Sequence, residues 1–171
     1  MVKKLLIMLA LVMAPVCMQA QQVKFGKVNK LEIFNMMPEK AIAEKQLQDL
    51  SDQYKAELQM LQDEFNRKYS DFQAMNLDNK TAGTIKERRM QELQENNDKI
   101  ELFLKNTSED LRRKESELLD PIRKRIDDAV NTIGEEQGFM LIYDTSEPGV
   151  AFMGPQFEDI TNLVKLQLGL N

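Results

Sequence analysis

The side chains that could carry chemistry in this chain are almost all carboxylates and amines. Of 171 residues, 28 are Asp or Glu and 23 are Lys or Arg, with no His and one Cys. That cysteine, Cys17, lies in the apolar N-terminal stretch, so the chain beyond it has no thiol for nucleophilic, redox or metal chemistry. General acid–base work by the carboxylates would need burial to bring a pKa toward neutrality, and they are spread along charged helical runs instead. Neither a Gly-rich phosphate loop nor a calcium loop of the EF-hand pattern is present. Catalytic residues, cofactor and metal are therefore each assigned as none, and no enzyme activity is expected.

What remains is contact chemistry. Two basic clusters, Lys86, Arg88 and Arg89, and Arg112-Arg113-Lys114, have the charge to hold an anionic group. Both are interleaved with acids (Glu87, Glu92; Glu109, Asp110, Glu115), and ordinary pairing three or four residues apart on a solvated helix is the favoured account. The apolar candidates are Met75, Leu77, Ile85 and Met90 around a polar break, and Phe103, one position off the apolar seam described below. Flexible Met side chains suit a surface that accepts many sequences, although single exposed apolar residues are also common and idle.

The elements that position these residues follow from periodicity. Leu47, Leu50, Tyr54, Leu58, Leu61, Phe65, Tyr69 and Phe72 step by three and four residues along one face of a nearly straight helix. Leu93, Ile100, Leu104, Leu111 and Leu118 form a gapped heptad seam on a second helix, with Asn97, Thr107 and Lys114 as polar insertions. Between them Asn76–Gly83 is a turn, and Thr84 with Glu87 has the spacing of a capping box. Pro38 suits the first helical position and Gly138 a C-terminal cap, while Pro121 predicts a kink. The outcome is a long antiparallel helical hairpin over residues 39–133, its legs roughly 55 and 80 Å long at 1.5 Å per residue.

The flanks are different. Residues 1–20 have the Lys3-Lys4 start, apolar centre and Ala20 end of a cleaved secretory leader, and the apolar run is too short to span a bilayer. Ala14-Pro15-Val16 lacks the small residue at −1 that lipid-modified cysteines use. The formal net charge of −5 becomes −7 once Lys3 and Lys4 are removed from the 23 basic residues, which argues against nucleic acid as a partner. Strands are expected at 23–29, 139–144 and 150–153, with a short helix after Val28-Asn29 and a last one after Asp159-Ile160-Thr161. Residues 21–38 and 134–171 thus make a small strand-bearing body into which the arm is inserted, a mostly α fold with little β. Three short strands bury too little surface to close a stable core, so self-association is expected.

Val28-Asn29, Ile33-Phe34, Pro38, Pro121-Ile122, the run Gly138 to Asp144, Val150-Ala151-Phe152, Asp159-Ile160-Thr161 and Val164 together resemble the Skp/OmpH periplasmic chaperones, over essentially the whole chain beyond the leader. The resemblance implies a jellyfish-like homotrimer whose arms enclose a cavity. It implies an ATP-independent holdase that binds unfolded outer-membrane β-barrel proteins in the periplasm, with transient membrane or lipid contact as a further partner. On that account Met75, Leu77, Ile85, Met90 and Phe103 meet the client, and Lys86, Arg88 and Arg89 an anionic group. Val28, Phe139, Leu141, Ile142, Tyr143, Val150 and Phe152 build the trimer body. The chain departs from the best-known members in being acidic, with a sequence pI near 5.0. The alternative is a structural or adaptor coiled coil of the cell envelope that docks one folded partner at a discrete hot spot.

Overall fold

The structure is a computed structural model, and it describes residues 23–77 and 81–170. The leader expected at 1–20, with Cys17, lies outside the described residues, as does the centre of the hairpin turn. The element order is β1 (Lys24–Val28), α1 (Lys30–Met36), α2 (Pro38–Leu77), α3 (Gly83–Gln137), β2 (Phe139–Asp144), β3 (Phe157–Asp159) and α4 (Thr161–Gln167).

Local signals account for most boundaries. Asn29 caps α1, its side-chain oxygen accepting from the Glu32 N–H at 3.0 Å. α2 begins at Pro38, whose fixed φ and missing N–H cost nothing in a first turn. α3 ends at Gly138, which adopts φ 69° and ψ 37° and donates its N–H to the carbonyls of Glu135 and Gly134. One expectation fails. α3 starts at Gly83 behind an Ala82 N-cap without a side-chain bond, so the Thr84–Glu87 capping box does not form. Pro121 stands inside α3, which runs on past it to Gln137.

The arm returns the chain alongside its starting strand, so β1 and β2 are parallel, with the whole hairpin as their crossover. β3 pairs parallel with the other side of β1, giving the order β2-β1-β3. Here the expectation of a partner strand at 150–153 is corrected. That segment is irregular, Val150 and Phe152 are exposed, and the third strand is Phe157–Asp159. The reason is pairing: the Ile160 N–H donates to the Lys27 carbonyl at 2.9 Å and fixes 157–159 against β1, which the apolar content of 150–153 cannot do.

One core joins body and arm root. Val28, Ile33, Met37, Ile160 and Val164 from the body meet Ala43 of α2 and Leu119, Ile122, Ile126, Ala129, Val130 and Ile133 of α3. Phe139 and Ile142 pack on it from β2, and Gly26 lets them close over β1: a Cβ there would meet the Ile142 side chain at 3.1 Å and the Phe139 ring at 3.2 Å. Side-chain and backbone bonds seal the joints. Asn29 N–H donates to Thr161 Oγ1 (3.1 Å), and Thr145 N–H to the Val28 carbonyl (2.8 Å). Asp144 Oδ1 accepts from the N–H groups of Lys30 (3.3 Å) and Ser146 (3.0 Å).

Candidate functional site

Alternation along β1 points Gly26 and Val28 into the core and Phe25 and Lys27 to the opposite face. Register then sets Leu141, Phe25 and Phe157 side by side across the three strands, with the Phe25 and Phe157 rings 5.5 Å apart. This apolar row lies on the face away from the helices, and Leu141 is half exposed. Met140, beside Leu141 in β2, is 74 % exposed, and Phe152, on the β2–β3 connection, is 83 % exposed.

The seven residues expected to build the oligomeric body therefore divide. Val28 is buried in the chain's own core, and Phe139 and Ile142 pack against it. The Tyr143 hydroxyl donates to the Glu147 carbonyl at 2.7 Å and pins the turn that follows β2. Leu141, Val150 and Phe152 are the members left at the surface. Phe25, Phe157, Met140 and Val23 were missed by sequence reasoning. Two of them were legible in principle, since Phe25 and Phe157 sit at paired strand positions once β3 is placed correctly, whereas Met140 falls where the β1–β2 register shifts.

The arm has its own apolar surplus. Near the tip Leu77 is 85 % exposed, Ile85 and Met90 are exposed, and Met75 is half buried at the end of the seam. Met60, Leu102 and Leu104 are exposed further down the arm and were not singled out from sequence. Phe103 is placed differently from its expected position. It occupies the seam itself, its ring edge-on to Tyr54 with centroids 6.1 Å apart, while Leu104 faces outward. Likewise Lys68, not Tyr69, fills the seam of α2. Its ammonium donates to Asn96 Oδ1 at 3.2 Å and to Glu64 at 2.6 Å, and Tyr69 stacks on Phe65 outside.

The basic residues of the tip are engaged. Arg88 and Arg89 share Glu92 at 3.2 and 2.6 Å, and Lys86 Nζ donates to the Asn76 carbonyl at 3.3 Å, tying the two helix ends together. The Arg89 and Arg88 guanidiniums hold the Glu92 carboxyl below its ordinary range. In mid-arm Arg113 pairs with Asp110, and Lys114 with Glu117 at 3.1 Å. This is the helix pairing anticipated from spacing. The clefts are shallow. One of about 300 Å³ between α1 and α3 is lined by Lys30, Leu31, Phe34, Arg123, Asp127 and Asp144, with the Lys30–Asp127 pair (2.8 Å) across it. Among the described residues no cluster of His, Cys, Asp or Glu could hold a metal ion, and no helix is long and apolar enough to cross a membrane.

The described residues form a long charged hairpin on a small body, with apolar side chains exposed on both. The family model described as outer membrane protein (OmpH-like) matches residues 24–168, from the first residue of β1 to just past α4, and the chain belongs to that family. It is a family of periplasmic chaperones in outer-membrane protein biogenesis. No curated protein matches the chain. Several of the residues that carried the resemblance have physical roles, most of them in the body: the Asn29 cap, the Gly138 cap, the buried Ile33, Ile122 and Val164, and the Asp144 and Thr161 acceptors.

Proposed function

We propose that this protein is an ATP-independent periplasmic holdase, exported by a leader at 1–20, that binds unfolded outer-membrane β-barrel proteins between helical arms. The observation that carries it is the apolar surface left open at two separate places. The Leu141–Phe25–Phe157 row with Met140 and Phe152 supports association of copies through the body, as a homotrimer in the family manner. Leu77, Ile85, Met90, Met60 and Leu104 on the arm support client contact, joined by Met75 at the seam end. The body is residues 21–38 with 134–171 and the arm 39–133. Each arm contact is weak and spread along the helices, so affinity comes from many contacts at high effective concentration between neighbouring arms. Lys86, Arg88 and Arg89 are less available to lipid or other anions than their number implies, because Glu92 and Asn76 already hold them.

The test is dilution of a urea-unfolded β-barrel outer-membrane protein into buffer with and without residues 21–171, followed by light scattering without nucleotide. Suppression of scattering at one assembled unit per client supports the reading. Unchanged scattering contradicts it and favours the adaptor alternative, in which the hairpin docks a single folded partner.

A further inference from the structure

The contact surfaces of this chain carry sulfur. Seven of its eleven methionines lie in residues 21–171, which hold no cysteine. Thioethers are therefore the only sulfur groups that an oxidant can meet there, and the fold sorts them by access. Met37, at the joint between α1 and α2, is 2 % exposed and belongs to the core cluster with Val28 and Ile33. Met75 and Met153 are half-buried. On the arm, Met60 of α2 is 65 % exposed and Met90 of α3 is 53 % exposed.

Both arm methionines stand outside the core cluster. Met60 lies beside the half-buried seam residue Leu61, and the polar side chains around it, Gln59 and Asp63, bond to each other at 2.9 Å. Met90 follows Arg88 and Arg89, whose charges are held by Glu92, and shares the tip of the arm with the exposed Leu77 and Ile85. These are apolar contact positions at which sulfur is open to solvent.

We propose that Met60 and Met90 are oxidant-sensitive modification sites, and that converting them to methionine sulfoxide with a peroxide weakens the grip of the arms on a client without unfolding them. The consequence for the client rests on the holdase reading and adds regulation to it. In the reaction the thioether lone pair attacks one oxygen of hydrogen peroxide. The S–O bond forms, the O–O bond breaks, sulfur gives up two electrons, and the second oxygen leaves as water. A thiol-dependent reductase reverses the step, removing the oxygen as water while two thiols become a disulfide.

The product keeps the length of the side chain and replaces an apolar sulfur with a polar acceptor. On an exposed helix turn the new group is hydrated whether the chain is folded or not, so the fold is unaffected. Against an apolar client segment it must be desolvated without a donor, which costs free energy at each such contact. Affinity built from many weak contacts compounds these losses over every arm. Leu77, Ile85 and Leu104 have no sulfur and are untouched, so the grip is reduced and not abolished. Met37 is the opposite case: a sulfoxide there would disrupt the core, and its burial shields it from the oxidant.

The test treats residues 21–171 with hydrogen peroxide, quenches with free methionine, and removes both before any client is added. Peptide mapping by mass spectrometry is expected to find the added oxygen at Met60 and Met90 well before Met37, with the far-UV dichroism unchanged. The treated protein should suppress client scattering severalfold less and bind less of the apolar dye anilinonaphthalene sulfonate. Met60→Leu combined with Met90→Leu, each protein being compared with its own untreated sample, should show neither loss on treatment. Equal oxidation of Met37, a loss of helix, or a double variant that loses as much as wild type overturns the proposal. So does treated wild type that matches untreated protein in both assays. The oxygen map and the dye need no client. Untreated protein that fails to suppress scattering would therefore sink the holdase reading alone, and the map and the dye would still decide the modification.

Discussion

At the scale of single residues the structure separates side chains that hold the fold from those free for contact. Ile126 is buried where α3 meets both α2 and the body, so Ile126→Ala removes packing from the only core the chain has among its described residues. A loss of about 2–5 kcal/mol is expected by denaturant unfolding; a loss within error of zero would mean the root is not packed as described. Leu77, Ile85 and Met90 give the opposite expectation. Replacing all three with Ser should leave the thermal midpoint of residues 21–171 unchanged and weaken suppression of client scattering severalfold. A drop in midpoint with unchanged suppression would make them structural. Legibility at this scale followed locality. Pro38 and Gly138 act on their own helix turn and could be read directly. Phe103 against Leu104 and Lys68 against Tyr69 could not, because a two-helix seam only half buries its residues. There a long side chain such as Lys68 covers apolar surface with its stem while its head finds Asn96 and Glu64, so polarity no longer marks the outside.

At the scale of elements, the two long helices were recoverable from spacing, since a three-and-four-residue rhythm over many turns has no competing explanation. Pro121 lies within that rhythm. The proline lies on the exposed side of α3, where losing one backbone hydrogen bond is tolerated because Leu119 and Ile122 on either side are held in the core. Pro121→Ala restores the missing donor without touching that packing. It is expected to raise stability, by up to about 3 kcal/mol, in thermal unfolding followed by far-UV dichroism; lowered stability would show that the proline shapes the root. The third strand was misplaced for a different reason. Phe157–Asp159 holds one apolar residue, and what makes it a strand is its pairing with β1 more than a hundred residues earlier in the chain. Val150–Met153 has the composition of a strand but pairs with no strand among the described residues.

At the scale of the whole molecule the open questions converge on the body. Its core is shared with the arm root, and the outer face of its sheet carries the Leu141–Phe25–Phe157 row, with no helix over it among the described residues. Self-association was anticipated from the small size of the strand set, and the identity of the uncovered residues came only from the register. Leu141→Asp places a charge at one end of that row, on the edge strand β2 and away from the intrachain core. It is expected to dissociate the assembly while the far-UV dichroism of the helices is retained, because desolvating an unpaired carboxylate between copies is costly. An assembly that survives Leu141→Asp would place the contact elsewhere.

The measurement that bears most directly on the account is sedimentation velocity of residues 21–171, alone and after dilution of a urea-unfolded outer-membrane β-barrel protein into it. The account predicts a single assembled species of three chains that gains one client and keeps it in solution, with Leu141→Asp losing both properties together. A monomer that leaves the client to pellet would contradict the account.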